Sequence, residues 1–454
     1  MSTYLLTATP ARGHVMPLLA VAEHLTSSGH RVLFMTGSRY SADVEATGAS
    51  FVPIPAEAEI DFDNLNAAYP ERAKLRGVAA IRFDIMLFVR PGTAQYAAVL
   101  DILAEESVDA IITEPTFTGA ALIWAMPRDQ RPPVVGVGIA PLGVKSRDTA
   151  PFGLALPPLP GRRGRVRNAL LNYLAESVLF APIKRESDAL AIAAIGRPLE
   201  GAVLDWTART DAVVQFTVPA FEYPRSDLPG HIHFVGPVSK ASTAADLPPW
   251  WSDLTRPGRV VHVTQGTVAN EDFDQLIVPA CVALGEEDLL VVVTTGGRAP
   301  DTLPPLPANV RVAQYLPYDK LLPLTDVLVT NGGYGGVQQA LSHGIPLVVA
   351  GRTEDKAEVA ARVAWSGTGI DLKTGRPTPA QLRKAVREVL SNPAFGDRAA
   401  AVEAEMDQAP GMAGLDRVIA DLTSGTLADP RLRSASWGRS GSASFDRQKE
   451  SSTP

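Results

Sequence analysis

Five short stretches carry side chains or bare backbone whose types and spacing suit chemistry. Gly13-His14 follows the apolar run Tyr4 to Thr9 and precedes a segment with apolar residues at helical spacing. A histidine there is often only a polar loop residue. Imidazole also changes charge near neutral pH, which makes His14 a candidate general base. Glu114 closes the apolar run Val108 to Thr113. A carboxylate in that place commonly caps a helix, and it can instead orient a histidine ring and stabilise its protonated form. Thr264-Gln265-Gly266-Thr267 is a small, hydroxyl-bearing loop entering a helix, suited to a cap or to a ligand.

The fourth stretch, Thr330-Asn331-Gly332-Gly333-Tyr334-Gly335-Gly336, is the most informative. Glycines packed between a strand and a helix leave backbone N–H groups bare at the positive helix end, an anion site best suited to phosphate. A tight packing turn is the plainer alternative, but it rarely needs so many glycines. The spacing matches neither the Gly-Lys-Ser/Thr of a P-loop nor a dinucleotide Gly-x-Gly-x-x-Gly. Gln339 lies on the same helix face as Gly335, within reach of a sugar hydroxyl beside such a phosphate. The fifth stretch, Glu354-Asp355-Lys356, follows another apolar run and alone reads as a solvated charge cluster.

All five sit where apolar runs end, so the elements that position them are strands. Strand, helix and strand within Tyr4 to Met35 form a βαβ unit, which demands a right-handed crossover and a parallel sheet. Val108 to Thr113 and Val134 to Val137 read as further buried strands. The pattern loosens between Val213 and Lys240, around Tyr223-Pro224-Arg225 and Pro229-Gly230. It restarts with strands at Val260 to Thr264, Leu289 to Thr294, Val310 to Ala313, Val327 to Thr330 and Leu347 to Ala350. The expectation is an α/β chain: a first domain over 1–215, a linker over 216–245, and a second domain with closing helices over 246–424. A Ser-, Arg- and Gly-rich tail over 425–454 is expected to be disordered. In open parallel sheets ligands bind at the carboxyl ends of the strands, and that shared location ties the five stretches together.

Composition narrows the function. The 454 residues are 46% hydrophobic and 20% charged, enough for sizeable cores. The net charge of −7 provides no general basic footprint for nucleic acid. The single Cys281 excludes a disulfide scaffold and a cysteine metal site. No apolar run of membrane-spanning length occurs, and the opening Met1-Ser2-Thr3-Tyr4 has no signal-peptide character, so a cytoplasmic protein is expected. Asp61-Phe62-Asp63 and Asp272-Phe273-Asp274 read as solvated or capping acids, so no metal is expected.

Taken together, the motifs resemble the GT-B glycosyltransferases of the macrolide and UDP-glycosyltransferase superfamily, bacterial natural-product type. The resemblance runs from Tyr4 to Leu422 and is strongest from Val310 to Gly351. It implies two Rossmann-like, doubly wound domains facing a central cleft, the second holding a nucleotide sugar and the first an acceptor. It makes His14 the general base and Glu114 its partner, where the family usually has Asp. It places Tyr315 where a Trp commonly stacks on the nucleobase, with Leu316 meeting the base edge through its backbone. Gly13, Thr264, Gly266, Thr267 and Gly332, Gly333, Gly335 and Gly336 fall with the donor contacts, the glycines on the diphosphate. Asn331 replaces a diphosphate-binding His, Gln339 a ribose-binding Glu, and Asp355-Lys356 an Asp-Gln pair that binds donor sugar hydroxyls.

The expected reaction is inverting transfer of a hexose from a UDP- or dTDP-sugar to a hydroxyl of a hydrophobic small molecule, without further cofactor. Phenolic, polyketide, macrolide and terpenoid acceptors all fit. Phe83, Phe88 and Phe117 are candidates for the apolar acceptor pocket, although aromatics at helical spacing also serve as plain core. A monomer or homodimer is expected. A sugar-nucleotide epimerase or hydrolase on the same fold, or an inactive nucleotide-sugar-binding partner protein, are the alternatives.

Overall fold

A computed structural model describes residues 1–62, 65–201, 205, 209–238, 247–267, 270 and 272–425. The tail expected over 425–454 lies outside the described residues from 426 onward, as does Asp63.

Two parallel sheets dominate. The first contains β1 (Thr3–Thr7), β2 (Arg31–Thr36), β3 (Ser50–Pro53), β4 (Ala110–Thr113), β5 (Val134–Gly138), β6 (Ala212–Gln215) and β7 (Ile232–Phe234), in the order β3-β2-β1-β4-β5-β6-β7. The second contains β8 (Arg259–Thr264), β9 (Leu289–Thr294), β10 (Val310–Ala313), β11 (Val327–Thr330), β12 (Leu347–Val349) and β13 (Gly369–Asp371), in the order β10-β9-β8-β11-β12-β13. The central strands are unbroken apolar runs because helices cover both faces of each sheet. Alternation along β1 shows this: Tyr4 and Leu6 enter one core, and Leu5 enters the core on the opposite face. In β11, Val327 and Val329 face one core and Leu328 the other.

The strand order reverses between β1 and β4 in the first sheet and between β8 and β11 in the second. Such reversals open a crevice beyond the carboxyl ends of the strands. Both crevices receive the chemistry-bearing loops.

The expected domain limits need two corrections. The first sheet does not end at 215, because β7 at Ile232–Phe234 pairs with β6 inside the supposed linker. A three-residue strand between Pro229-Gly230 and Gly236-Pro237 is too short to show a period. The last helix, Met412–Thr423, does not close the second domain. It returns to the first, where Leu415, Val418, Ile419 and Leu422 pack with Leu18, Val21 and Leu25. Cross-domain hydrogen bonds stitch the seam: Gln215 Nε2 donates to Tyr334 Oη at 3.3 Å, and Thr217 Oγ donates to Gln338 Oε1 at 2.9 Å.

Candidate active site

In the first crevice, β1 and β4 run in register with Thr7 opposite Thr113, and their hydroxyls share a 2.9 Å hydrogen bond. That register brings Thr9, Glu114 and Thr116 together. His14 lies in the first turn of the helix Arg12–Ser27, whose start has no acidic residue and no side-chain cap. Its Nδ1 is 2.8 Å from Glu114 Oε2 and 3.0 Å from Thr116 Oγ. Glu114 is 1% exposed and accepts the backbone N–H groups of Thr9 at 3.0 Å and Thr116 at 2.8 Å. The Thr116 hydroxyl donates to the same carboxylate at 2.8 Å.

These contacts decide the charge states. Burial pushes the Glu114 carboxyl up, and the facing His14 with the two backbone N–H groups outweighs it, so the pKa lies below its ordinary value. An ionised carboxylate only accepts, so Nδ1 bears the proton and the neutral ring keeps its lone pair on Nε2. Burial also works against the imidazolium, but the charge and hydrogen bond of Glu114 win. Asp355 and Glu354 from the second domain add to them, and the His14 pKa lies above its ordinary value. The ring remains about a quarter exposed, at 26%.

Aromatic side chains flank it. The Phe88 ring lies 6.2 Å from His14 at 24°, and Phe62 stacks parallel on Phe88 at 5.1 Å and 6°. Phe83 is half-buried further along the same helix, Val78–Val89, edge-on to Tyr69 at 5.8 Å.

In the second crevice, Thr264 sits opposite both Thr330 and Thr294. The Thr264 hydroxyl accepts the Gly266 N–H at 3.1 Å, and the Thr330 hydroxyl accepts the Gly332 N–H at 3.2 Å, so strand-end threonines turn both loops. Gly332 has φ +87°, and a Cβ there would stand 2.7 Å from Val349 Cγ1. Gly333 caps the helix Tyr334–Leu341 with no side-chain hydrogen bond and no acid in the first turn. A Cβ on Gly335 or Gly336 would meet nothing within 4 Å. The first turn therefore offers open N–H groups, as an anion requires. Tyr315 is 51% exposed, its ring lying over a bare turn where a Cβ on Gly297 would be 2.3 Å from its hydroxyl. Leu316 is buried beside Leu254 and Leu321.

Residues 4–125 match the glycosyltransferase family 28 N-terminal domain, and residues 280–421 match the erythromycin biosynthesis protein CIII-like C-terminal domain. The chain is 42% identical over 406 residues to a 4'-demethylrebeccamycin synthase of Lentzea aerocolonigenes, covering 88% of this chain and 94% of that protein. It is 35% identical over 440 residues to UDP-glucosyltransferase 1 of Beauveria bassiana, covering 91% and 93%. Its fold matches the crystal structure of the calicheamicin glycosyltransferase CalG4 with a TM-score of 0.68 at 22% identity, covering 94% of this chain and 100% of the other. The chain belongs to the GT-B natural-product glycosyltransferases.

As a glycosyltransferase it is a hexosyl-transferring enzyme with a nucleotide-sugar co-substrate and a small-molecule acceptor. Most expected site residues of this glycosyltransferase gather at the two crevices, with three adjustments. Phe117 is 2% exposed in the core with Leu5, Ile111 and Val134, so it presents no surface to an acceptor; Thr116, its neighbour, is the residue that reaches His14. Lys356 is also turned inward. It packs beside Gly332 and Gly351 and pairs with Glu354, which leaves Asp355 as the half-buried acid at that end of the cleft. Asn331 spends its amide on the Gln265 carbonyl, tying the two donor loops together. Gln339 is half-buried one turn beyond the glycines, Thr267 is exposed in the loop after β8, and Gly13 is exposed in the first turn of the helix Arg12–Ser27.

Sequence reasoning passed over several parts of the glycosyltransferase site. Thr9, and the bonds of Thr116 to Glu114 and His14, are one set. Asn270 is another, since its Nδ2 donates to the carbonyls of Gly266, Thr295 and Gly296 and so joins two loops. Gly296-Gly297 lie one residue beyond the strand β9, and the strand-end rule that exposed Gly332 would have found them. Among the described residues no cluster of His, Cys, Asp and Glu is arranged to hold a metal, and no helix is long and apolar enough to cross a membrane. Asp272 caps the turn Phe273–Gln275 and pairs with Arg376, and Asp61 pairs with Arg39.

Proposed function

We propose that this enzyme transfers a hexose with inversion from a UDP- or dTDP-sugar to a hydroxyl of a hydrophobic small molecule, with His14 as general base. The observation that carries the reading is the buried Glu114 facing His14 Nδ1 at 2.8 Å, which fixes Nδ1–H and leaves the Nε2 lone pair of the ring for an acceptor proton. The acceptor oxygen attacks the anomeric carbon as the bond to the nucleotide diphosphate breaks, and its proton passes to Nε2. Glu114 then stabilises the imidazolium. The departing diphosphate meets the backbone N–H groups from Gly333 to Gly336, fixed dipoles that need no reorganisation. Asn331 is neutral, so the amides offset most of the leaving charge. Tyr315 offers a face to the nucleobase, Gln339 a hydrogen bond to the ribose and Asp355 an acceptor for sugar hydroxyls. Phe88 and Phe62 supply an apolar wall beside the base, which favours an acceptor with a flat, apolar body. UDP is the first donor to try, because relatives at 35% and 32% identity are named UDP-glucosyltransferases.

Incubation with UDP-glucose and a panel of phenols, polyketides and macrolides, with mass detection of product and of free sugar, tests the reading. Acceptor-dependent glycoside is expected. Sugar release without any glycoside would instead make the enzyme a donor hydrolase.

A further inference from the structure

We propose that Arg362, with the two carboxylates it bridges, Glu222 and Glu358, is a positioning residue that registers the Asp355 end of the cleft against the acceptor domain. Asp355 is the N-cap of the helix Lys356–Ser366, and Arg362 lies on that helix at 1% exposure. Its Nε donates to Glu222 Oε2 at 3.0 Å, and Nη1 donates to Glu358 Oε2 at 2.8 Å, one turn back on the same helix. The remaining carboxylate oxygens grip the loop that follows β5. Glu222 Oε1 accepts the Leu142 N–H at 2.8 Å, and Glu358 Oε1 accepts those of Gly153 at 2.8 Å and Ala155 at 2.7 Å. The guanidinium also lies 4.3 Å from the Tyr223 ring centroid, and Arg225 stands 3.7 Å from Glu222. Two arginines therefore face two carboxylates, all with side chains no more than 5% exposed.

Stability alone does not account for this quartet. Burying charge is costly, and a packed apolar replacement is often at least as stable. What the charges add is direction, because each carboxylate meets Arg362 with one oxygen and backbone N–H groups of the loop after β5 with the other. Ala155 supports this reading: its φ of +52° is a left-handed conformation that an alanine adopts only when held, and the holder is Glu358. The loop so held leaves β5, the strand beside β4, whose end carries Glu114. The helix so held starts at Asp355. The quartet thus links the His14–Glu114 pair to the sugar end of the donor through rigid elements, and a misplacement of about 1 Å there costs on the order of a hundredfold in rate.

The inference rests on Asp355 contacting the donor sugar, and the test separates the two. Arg362→Lys keeps the charge and loses the fork; Glu358→Gln keeps the shape and loses the charge. Each is expected to lower kcat for transfer ten- to a hundredfold and to raise the share of donor lost to hydrolysis. UDP affinity by calorimetry should stay within about twofold, since the nucleotide contacts lie on other elements. Turnover within twofold of wild type in both variants would overturn the proposal, and so would parallel loss of kcat, UDP-binding capacity and melting temperature. Should one variant not fold, the other decides. Asp355→Asn is the control: normal transfer there sinks the donor reading itself, whereas a crippled Asp355→Asn beside a normal Arg362→Lys and Glu358→Gln sinks the clamp alone.

Discussion

His14 is held ready by neighbours that also make its proton harder to remove. Its pKa lies above the ordinary 6.5, so lowering the pH through that raised value protonates Nε2 and removes the base. The acid limb of kcat/KM should therefore fall above pH 6.5. Glu114→Gln removes the charge that outweighs burial while the burial remains, so the limb should move to lower pH as the plateau drops. A limb that stays in place in that variant would mean that His14 is not the titrating group. At this scale the sequence pointed to His14, Glu114 and the glycines because each lies a short way beyond an apolar strand, and to Asp355 only through the family resemblance. Thr9 and Thr116 were hidden, since their importance lies in bonds to Glu114 and His14 made by a parallel register, and no spacing announces it. Phe117 misled for the opposite reason: an aromatic beside a functional residue looks the same in sequence whether it lines a pocket or fills a core.

The glycine-loop helix Tyr334–Leu341 separates stability from function. A Cβ at Gly335 meets nothing within 4 Å, and an acid in a first helical turn is favourable to the helix by about 0.3–1 kcal/mol. Gly335→Asp should therefore melt no lower than wild type. It should also bind UDP at least about tenfold more weakly, because a fixed carboxylate then occupies the anion site. Calorimetry and a melting curve on one sample check both; unchanged UDP affinity would move the diphosphate elsewhere. Strands β1, β2, β4, β5, β8, β9, β10, β11 and β12 were legible as mainly apolar runs ending at turn or polar residues. Strands β3 (SFVP), β7 (IHF) and β13 (GID) were not, because each holds no more than two adjacent apolar residues and borders glycine, proline or polar sequence.

On the scale of the molecule, the chain is more interlocked than two domains and a linker. The helix Met412–Thr423 completes the core of the first domain, and Leu415 within it is fully buried. Leu415→Ala should cost about 2–5 kcal/mol and lower the melting temperature. UDP binding in the second domain should survive at temperatures where the protein stays folded. An unchanged melting temperature would contradict the packing. Neither this return nor the charge quartet at Arg362 was visible in sequence, because both join segments far apart along the chain. The central claim, that a His14–Glu114 pair drives transfer, is tested most directly by His14→Ala assayed for turnover and for nucleotide affinity together. Turnover should fall by about 10²–10⁴-fold with UDP affinity unchanged, and near-normal turnover would contradict the account.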